Sequence, residues 1–236
     1  VGRIEPRCET LMPEASVVRR MFEGVAPRYD FLNHVLSLGI DRSWRRAVVH
    51  ALELERDQRV LDLCCGTGDL ALEMAQQARP FACDFTWNML TRARDKSRAR
   101  GIPIRVAAAD ALSLPFPNGV FDAATVAFGV RNLADMPAGL REIHRVLVPG
   151  GKLAILEFSH PEGWLRKPYR FYLKTLLPRL GDLLSRRGEA YRYLAESIMG
   201  FPDPDTLVHL MRDSGFDNPS YQRLTGGIVA IHRATT

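Results

Sequence analysis

The chain has 236 residues, of which 46% are hydrophobic and 25% charged, and a formal net charge of +5. That balance supports a sizeable buried core and excludes a disordered or fibrous chain. The longest apolar runs, such as Leu153 to Phe158 between Lys152 and His160, fall far short of the roughly 20 residues that a membrane-crossing helix needs.

Val1 to Glu14 carries Arg3, Glu5, Arg7, Glu9 and Glu14 and no apolar stretch of the secretory kind, which predicts a cytoplasmic protein. Cys8, Cys64, Cys65 and Cys83 contain no C-x-x-C spacing, and the adjacent pair Cys64-Cys65 could close a disulfide only with strain, so all four read as reduced. The six histidines are scattered without a paired spacing, so no protein-bound metal is expected.

Residues 1–57 read as a helical preface, with Trp44, Val48, Val49 and Leu52 at helical spacing. From there short β-branched runs alternate with helical stretches, the pattern of βαβ units on a parallel sheet. Strands are predicted at 59–64, 81–84, 104–108, 121–127 and 152–158, and helices at 69–77, 88–99 and 133–147, the last ended by Pro149-Gly150-Gly151. Trp164 to Leu184 is apolar and basic at helical spacing with no strand before the next helix, which marks 160–202 as a helical cap inserted after the cofactor half at 58–159. Residues 203–236 close the chain with a helix over 204–214 and a hairpin of 219–224 and 228–232 about Thr225-Gly226-Gly227. The whole is one α/β domain with a mostly parallel seven-stranded sheet ending in an antiparallel hairpin.

The charge is unevenly placed. Between His160 and Arg192 eight basic residues stand against Glu162, Asp182 and Glu189, an excess equal to that of the whole chain. Aromatic and apolar residues interleave with them, so the segment suits an anionic membrane surface. With no further basic domain, nucleic acid is not expected as a partner.

In an open parallel sheet, ligands sit beyond the carboxyl ends of the strands. The loop after the first strand, Asp62-Leu-Cys-Cys-Gly66-Thr67-Gly68-Asp69-Leu-Ala71, fits G-x-G-x-x-A, in which small residues permit a tight turn and close approach of a ligand. Asp84, at the end of the second strand, can accept both hydroxyls of a ribose. That pattern serves dinucleotides and S-adenosylmethionine alike. Asp62 beside the loop would repel a pyrophosphate but suits a sulfonium and an α-ammonium, and Asp110, ending the third strand beside Ala111, is placed to accept from an adenine amino group. These residues favour S-adenosylmethionine.

Two further stretches carry a resemblance. Tyr29, Asp30, Asn33, Ser37, Gly39, Asp41 and Trp44, and again Arg145 to Ser159 with Pro149, Gly150, Gly151 and Glu157, closely resemble the two signatures of the ubiquinone/menaquinone biosynthesis C-methyltransferases. Phe128-Gly129-Val-Arg131-Asn132, Ala190 to Leu194, Ser197-Ile198 and Phe201-Pro202 are similar to that family too. The resemblance implies a class I, Rossmann-like methyltransferase fold, S-adenosylmethionine as donor, and a polyprenylated quinol as acceptor. Cofactor contacts carried over from the family fall on Thr67, Asp84, Asp110 and Ala111, with Gly66 and Gly68 shaping the loop. Ala127 stands where ubiquinone-branch relatives tend to carry Ser, and the Cys-Cys-Gly-Thr-Gly loop looks more like the menaquinone branch, so demethylmenaquinol is the favoured acceptor and the equivalent benzoquinol the alternative. A homodimer is a further expectation.

Methyl transfer to an aromatic carbon needs an aligned in-line displacement and an electron-rich ring. A quinol hydroxyl should ionise near the phenol value of about 10. Arg131 cannot serve as a base but can stabilise the quinolate, with Asn132 as hydrogen-bond partner. Water, Tyr29 or His160 would take the proton.

Overall fold

The computed structural model describes Ser37, residues 39–179 and, apart from the side chains of 188–190, residues 188–236. Tyr29, Cys8 and most of the first signature lie outside the described residues. Helix α1 (Asp41–Leu52) leads into β1 (Arg59–Leu63), α2 (Asp69–Met74), β2 (Arg79–Asp84), α3 (Trp87–Arg100), β3 (Arg105–Ala108) and β4 (Phe121–Ala127). Then follow α4 (Met136–Val146), β5 (Leu147–Phe158), α5 (Arg166–Phe171), α6 (Gly188–Gly200), α7 (Pro204–Asp213), β6 (Asp217–Leu224) and β7 (Val229–Thr235).

The seven strands form one sheet in the order β3-β2-β1-β4-β5-β7-β6. β1 to β5 are parallel, and β7 pairs antiparallel with both β5 and β6. Helices cover both faces, so the inner strands read as continuous apolar runs. On one face Trp44, Val48, Val49 and Leu52 of α1 pack with Leu70 and Met74 of α2 against Val60, Leu156 and Ile231. On the other, Leu140, Ile143 and Val146 of α4 and Leu207 and Met211 of α7 pack against Leu61, Leu63, Val126, Leu153 and Ile155. Each such side chain, when fully buried, contributes roughly 1.5–3 kcal/mol.

The chain departs from the sequence reading at some element ends. The helix expected from residue 133 starts at Met136, because the Asp135 carboxylate caps it by accepting from the Ala138 N–H at 2.8 Å and Pro137 sits in its first turn. It ends at Val146, before Pro149-Gly150-Gly151, and β5 begins at Leu147 paired with Phe121. The helix expected over 69–77 stops at Met74. The cap is not one regular helix: a 3₁₀ turn over Gly163–Leu165 precedes α5, whose continuation over Tyr172–Leu176 is π-helical. That wider turn accompanies inward placement of both Leu173 and Leu177, which pack with Tyr191, Ala195 and Ile198 of α6.

The tip of the β6–β7 hairpin joins distant parts of the chain. Trp44 Nε1 donates to Thr225 Oγ1 at 2.7 Å, and a Cβ at Gly226 (φ +65°) would meet Leu165 Cδ1 at 2.5 Å. The positive φ favours glycine there, while the Leu165 methyl, at the end of a flexible side chain, could give way.

Two buried titratable groups oppose one another as pH changes. His232 in β7 is 2% exposed, with Nε2 3.3 Å from the Pro204 carbonyl and Nδ1 unpartnered, and burial pushes its pKa down to about 4. Because that lies below the unfolded value near 6.5, its contribution to stability is full above about pH 6.5 and is lost as pH falls toward 4. Burial pushes Asp62 up to about 7, so its contribution is full below about pH 4 and is lost as pH rises toward 7. Each change is on the order of 3 kcal/mol, and between pH 4 and 6.5 they offset. Asp84 and Glu157, also raised by burial, add to the Asp62 side, so urea unfolding of the parent is expected to show a modest loss of stability as pH rises across that range. His232→Gln should become less stable as pH rises, and Asp62→Asn less stable as pH falls. A flat profile in both variants would remove this account.

Candidate donor and acceptor site

A cavity of about 140 Å³ opens beyond the carboxyl ends of β1, β2 and β4. Two turns that line it contain strained residues: Cys64 after β1 (φ +54°) and Phe128 after β4 (φ +56°). Such backbone costs of order 1–3 kcal/mol per residue and persists where the surroundings impose it. Here they do. Phe128 N–H donates to the Leu156 carbonyl at 2.7 Å, its ring packs on Phe158 at 4.7 Å, and a Cβ on Gly129 would meet Cys64 Cβ at 2.4 Å. The two turns touch, and only glycine at 129 lets them.

Asp84 ends β2 at the cavity wall. Its carboxylate accepts from the Gly66 N–H at 2.9 Å and the Thr86 N–H at 2.8 Å, one bond on each oxygen. Burial raises its pKa while these backbone bonds hold it down. A carboxylate offers about four acceptor positions, so both oxygens retain capacity for a vicinal diol. Asp110 lies on the same wall, exposed, with Oδ1 turned back to accept from the Leu112 N–H at 2.9 Å. Ala111, Met89, Leu112 and Leu133 give an apolar slot beside it. A polar edge with an apolar slot suits a nucleoside, and these residues fit S-adenosylmethionine: Asp84 for the ribose, Asp110 and the slot for the base.

Three residues of the expected donor set do not line the cavity. Asp62 is 1% exposed and lies across from Thr125 in the β1–β4 register, where its Oδ1 accepts from Thr125 Oγ1 at 2.8 Å. Its carboxylate therefore lies under the loop, not beside the ligand, and Oδ2 is unpartnered. Thr67 is buried, with Oγ1 accepting from Lys96 Nζ at 2.8 Å, while Lys96 also reaches Asp69 at 2.9 Å. Gly68 (φ +80°) caps α2, and a Cβ there would meet Ala93 Cβ at 2.9 Å, so its smallness lets α2 approach α3. The loop's small residues split their work: Gly66 lines the cavity, and Gly68 serves packing.

The acceptor-side residues are placed unequally. Asn132 lines the cavity, and its Oδ1 accepts from Tyr193 OH of α6 at 2.9 Å, which leaves its amide N–H₂ to donate. Arg131 lies behind that turn, with a side chain 6% exposed. Its Nη1 is 2.7 Å from Glu157 Oε1 and also donates to the Phe128 carbonyl, and its guanidinium carbon lies 5.3 Å from the Phe158 ring centre. Nε is buried without a partner. Glu157 is 0% exposed, also accepts from the Phe158 N–H at 2.9 Å, and has its pKa raised by burial against the pull of Arg131. So the cation expected at this turn is one half of a buried ion pair. His160 Nε2 is 2.9 Å from the Phe201 carbonyl and must donate to it; His160 does not line the cavity and is not placed as a base.

Sequence reasoning gave no role to Glu157 or Tyr193, although both fall in the quoted stretches. A carboxylate in the apolar run Leu153 to Phe158 was the available signal, since a buried charge requires a partner. Cys64, Cys65 and Cys83 are free thiols whose pKa values are raised by burial, as expected of reduced, unreactive side chains.

Comparison with known proteins agrees with this geometry. Relatives named demethylmenaquinone methyltransferase from Thermus thermophilus and Deinococcus radiodurans are 49% and 46% identical, over 90% and 92% of this chain and 98% and 92% of theirs. A protein of Edwardsiella ictaluri named ubiquinone/menaquinone biosynthesis C-methyltransferase is 44% identical over 93% of this chain and 90% of its own. Among solved structures, a possible histamine N-methyltransferase of Thermotoga maritima, described as S-adenosylmethionine-dependent, superposes with a TM-score of 0.64 at 18% identity, over 91% of this chain and 99% of that one. A [4+2]-cyclase has the same fold at a TM-score of 0.65 and 21% identity, covering 95% and 97%. The fold alone thus does not dictate the reaction. The family model described as ubiE/COQ5 methyltransferase matches residues 10–236, and the chain belongs to that family.

Proposed function

We propose that the protein transfers the methyl group of S-adenosylmethionine to a ring carbon of a lipid quinol, with demethylmenaquinol as the acceptor. The observation that carries this reading is the turn Phe128 to Asn132. It places a hydrogen-bonding amide on the cavity wall and a buried guanidinium behind it, between the rings of Phe128 and Phe158 and the cap. The two relatives at 49% and 46% identity, both named for demethylmenaquinone, favour that acceptor over the benzoquinol.

When bound, the donor supplies an electrophilic methyl on a sulfonium. The chain aligns and polarises. Asp84 and Asp110 fix the nucleoside, and Gly66 lets it approach the loop. Asn132 is held by Tyr193, so its amide donors are oriented before a quinol oxygen arrives. Among the described residues, Arg131 is the cation at the turn. Its charge is partly offset by Glu157, and from behind the turn it acts on a developing quinolate through its field rather than by contact. A cation within about 4–6 Å lowers an acid's pKa by roughly 1–3 units. Because His160 lies off the cavity wall, the proton leaves to water or to Tyr29. The acceptor's prenyl tail brings the enzyme to a membrane surface, so the protein works as a cytoplasmic enzyme at the inner face.

Only the reduced ring is nucleophilic. Turnover is expected with demethylmenaquinone held reduced by dithionite and none with the quinone. Equal rates under both conditions would exclude the mechanism. A strain lacking the protein is expected to accumulate demethylmenaquinone on quinone profiling; accumulation of the methoxybenzoquinone precursor instead would move the protein to the other branch.

A further inference from the structure

Strands β1 to β5 are parallel, so their carboxyl ends share one edge of the sheet, the edge onto which the cavity opens. Six large hydrophobic residues are exposed among the described residues, and all lie at this edge. Phe85 and Trp87 follow β2; Trp164, Phe171 and Leu176 follow β5. Ile40 opens α1, whose Trp44 is bonded to the hairpin tip beside the end of β5, where Phe158 pairs with Val229. The turns at the opposite edge, before β1, β2 and β4 and at Pro149-Gly150, expose no such residue. Trp164 is 81% exposed and Phe171 58%, values that bring no benefit to a protein surrounded by water alone.

The charge on the same edge is one-sided. Arg166, Lys167, Arg170, Lys174 and Arg179 are exposed, and among the described residues none has a carboxylate within ion-pair distance. Gly163 to Arg179 contains no acidic residue. Inward, Leu173 and Leu177 anchor the segment, so Lys167, Phe171 and Lys174 share its outward side at helical spacing. Aromatic residues ringed by unpaired cations match the interface of an anionic bilayer, with rings at the acyl boundary and ammonium and guanidinium groups among the phosphates. A second copy of the chain fits poorly, because a two-fold contact would bring these cations against themselves.

We infer that the carboxyl-end face, with Trp164 and Phe171 as its anchors, is the surface by which the protein docks on anionic phospholipid, so that the cavity mouth faces the membrane and the acceptor enters from the bilayer. The inference deepens the reading of a lipid quinol acceptor and rests on it. Among the described residues no helix is long and apolar enough to cross a membrane, and the contact requires none.

The test uses the full chain with vesicles of phosphatidylcholine alone or with about one-third phosphatidylglycerol. Binding is expected on the anionic vesicles only and should weaken as salt rises. Bromine-labelled lipid should quench tryptophan fluorescence, and Trp164→Phe should remove most of that quenching. Trp164→Ser with Phe171→Ser, and separately Lys167→Gln, Arg170→Gln and Lys174→Gln together, should each lose binding, the triple variant roughly 100-fold. Both should keep parental turnover on a water-soluble, short-tailed demethylmenaquinol while losing turnover on vesicle-embedded acceptor. No turnover of the short-tailed quinol by the parent would mean that the acceptor is misassigned. Turnover with unimpaired vesicle binding in both variants would overturn the docking face. So would a parental dimer that Trp164→Ser dissociates, or tighter binding to heparin or RNA than to the vesicles.

Discussion

Asp84→Ala is expected to weaken binding of the demethylated donor, S-adenosylhomocysteine, about 100-fold in calorimetry, with the fold retained. Hydrogen bonds to a charged group each contribute roughly 1.5–3 kcal/mol, and about 1.4 kcal/mol is a factor of ten in affinity. The substitution removes the acceptor proposed for the ribose and also frees the Gly66 and Thr86 N–H groups that the carboxylate now holds. The second loss loosens the loop that the donor must meet, so the effect exceeds that of one missing bond. Asp84→Asn keeps an acceptor but loses the charge, and should fall between the two. Unchanged affinity in a folded Asp84→Ala protein would place the ribose elsewhere.

Removing Arg131 should be the most damaging single change, for two separable reasons. Arg131→Ala leaves Glu157 buried and unpaired, and breaking such a pair typically costs about 3–5 kcal/mol. Burial already raises the Glu157 pKa, and without the guanidinium it rises further. A group raised above its unfolded value contributes stability at pH below that value, near 4.5, and loses it as pH climbs. The variant should therefore be near parental stability around pH 4.5 and weakest at neutral and alkaline pH. Adding Glu157→Gln should restore stability at neutral pH. It should not restore turnover, which is expected to fall by about 10²- to 10³-fold when an electrostatic stabiliser of the transition state is lost. The residual activity should rise steeply with pH, as the quinol regains its solution ionisation. Arg131→Lys should retain part of the rate. A double variant with parental turnover would make Arg131 a structural strut.

The strands and their mostly parallel sense were legible because parallel strands buried on both faces leave dense apolar runs, and Gly, Pro and Asp punctuate the turns between them; their order in the sheet was not. Asp84 and Asp110 were legible for the same topological reason: a residue closing a parallel strand must face the ligand edge. Asp62 was misplaced because its position depends on register. Standing opposite Thr125, it turns into the sheet, and one sequence carries no record of which strand lies alongside. The pairing of Arg131 with Glu157 spans 26 residues, with α4 and most of β5 between them, and was hidden for that reason. Gly68 illustrates the opposite error, since a motif glycine was read as making room for ligand when it makes room for Ala93. The cap's π turn left no local signal, because the same apolar spacing serves an α-helix nearly as well.

The position of β7 has a consequence for how the molecule is assembled. The final strand of the sheet lies inside it, between β5 and β6, and Thr236 closes the seam by accepting from the Gly150 N–H and donating to the Gly151 carbonyl, both at 3.0 Å. Until that strand arrives, β5 is an open edge carrying the run Leu153-Ala154-Ile155-Leu156, a template on which a neighbouring nascent chain can pair. On the ribosome, the donor half can fold early, yet the outer edge of β5 stays unpaired until Val229–Thr235 has emerged. The sheet is thus completed by an insertion rather than an addition, and the interval before it is when the chain is most exposed to aggregation.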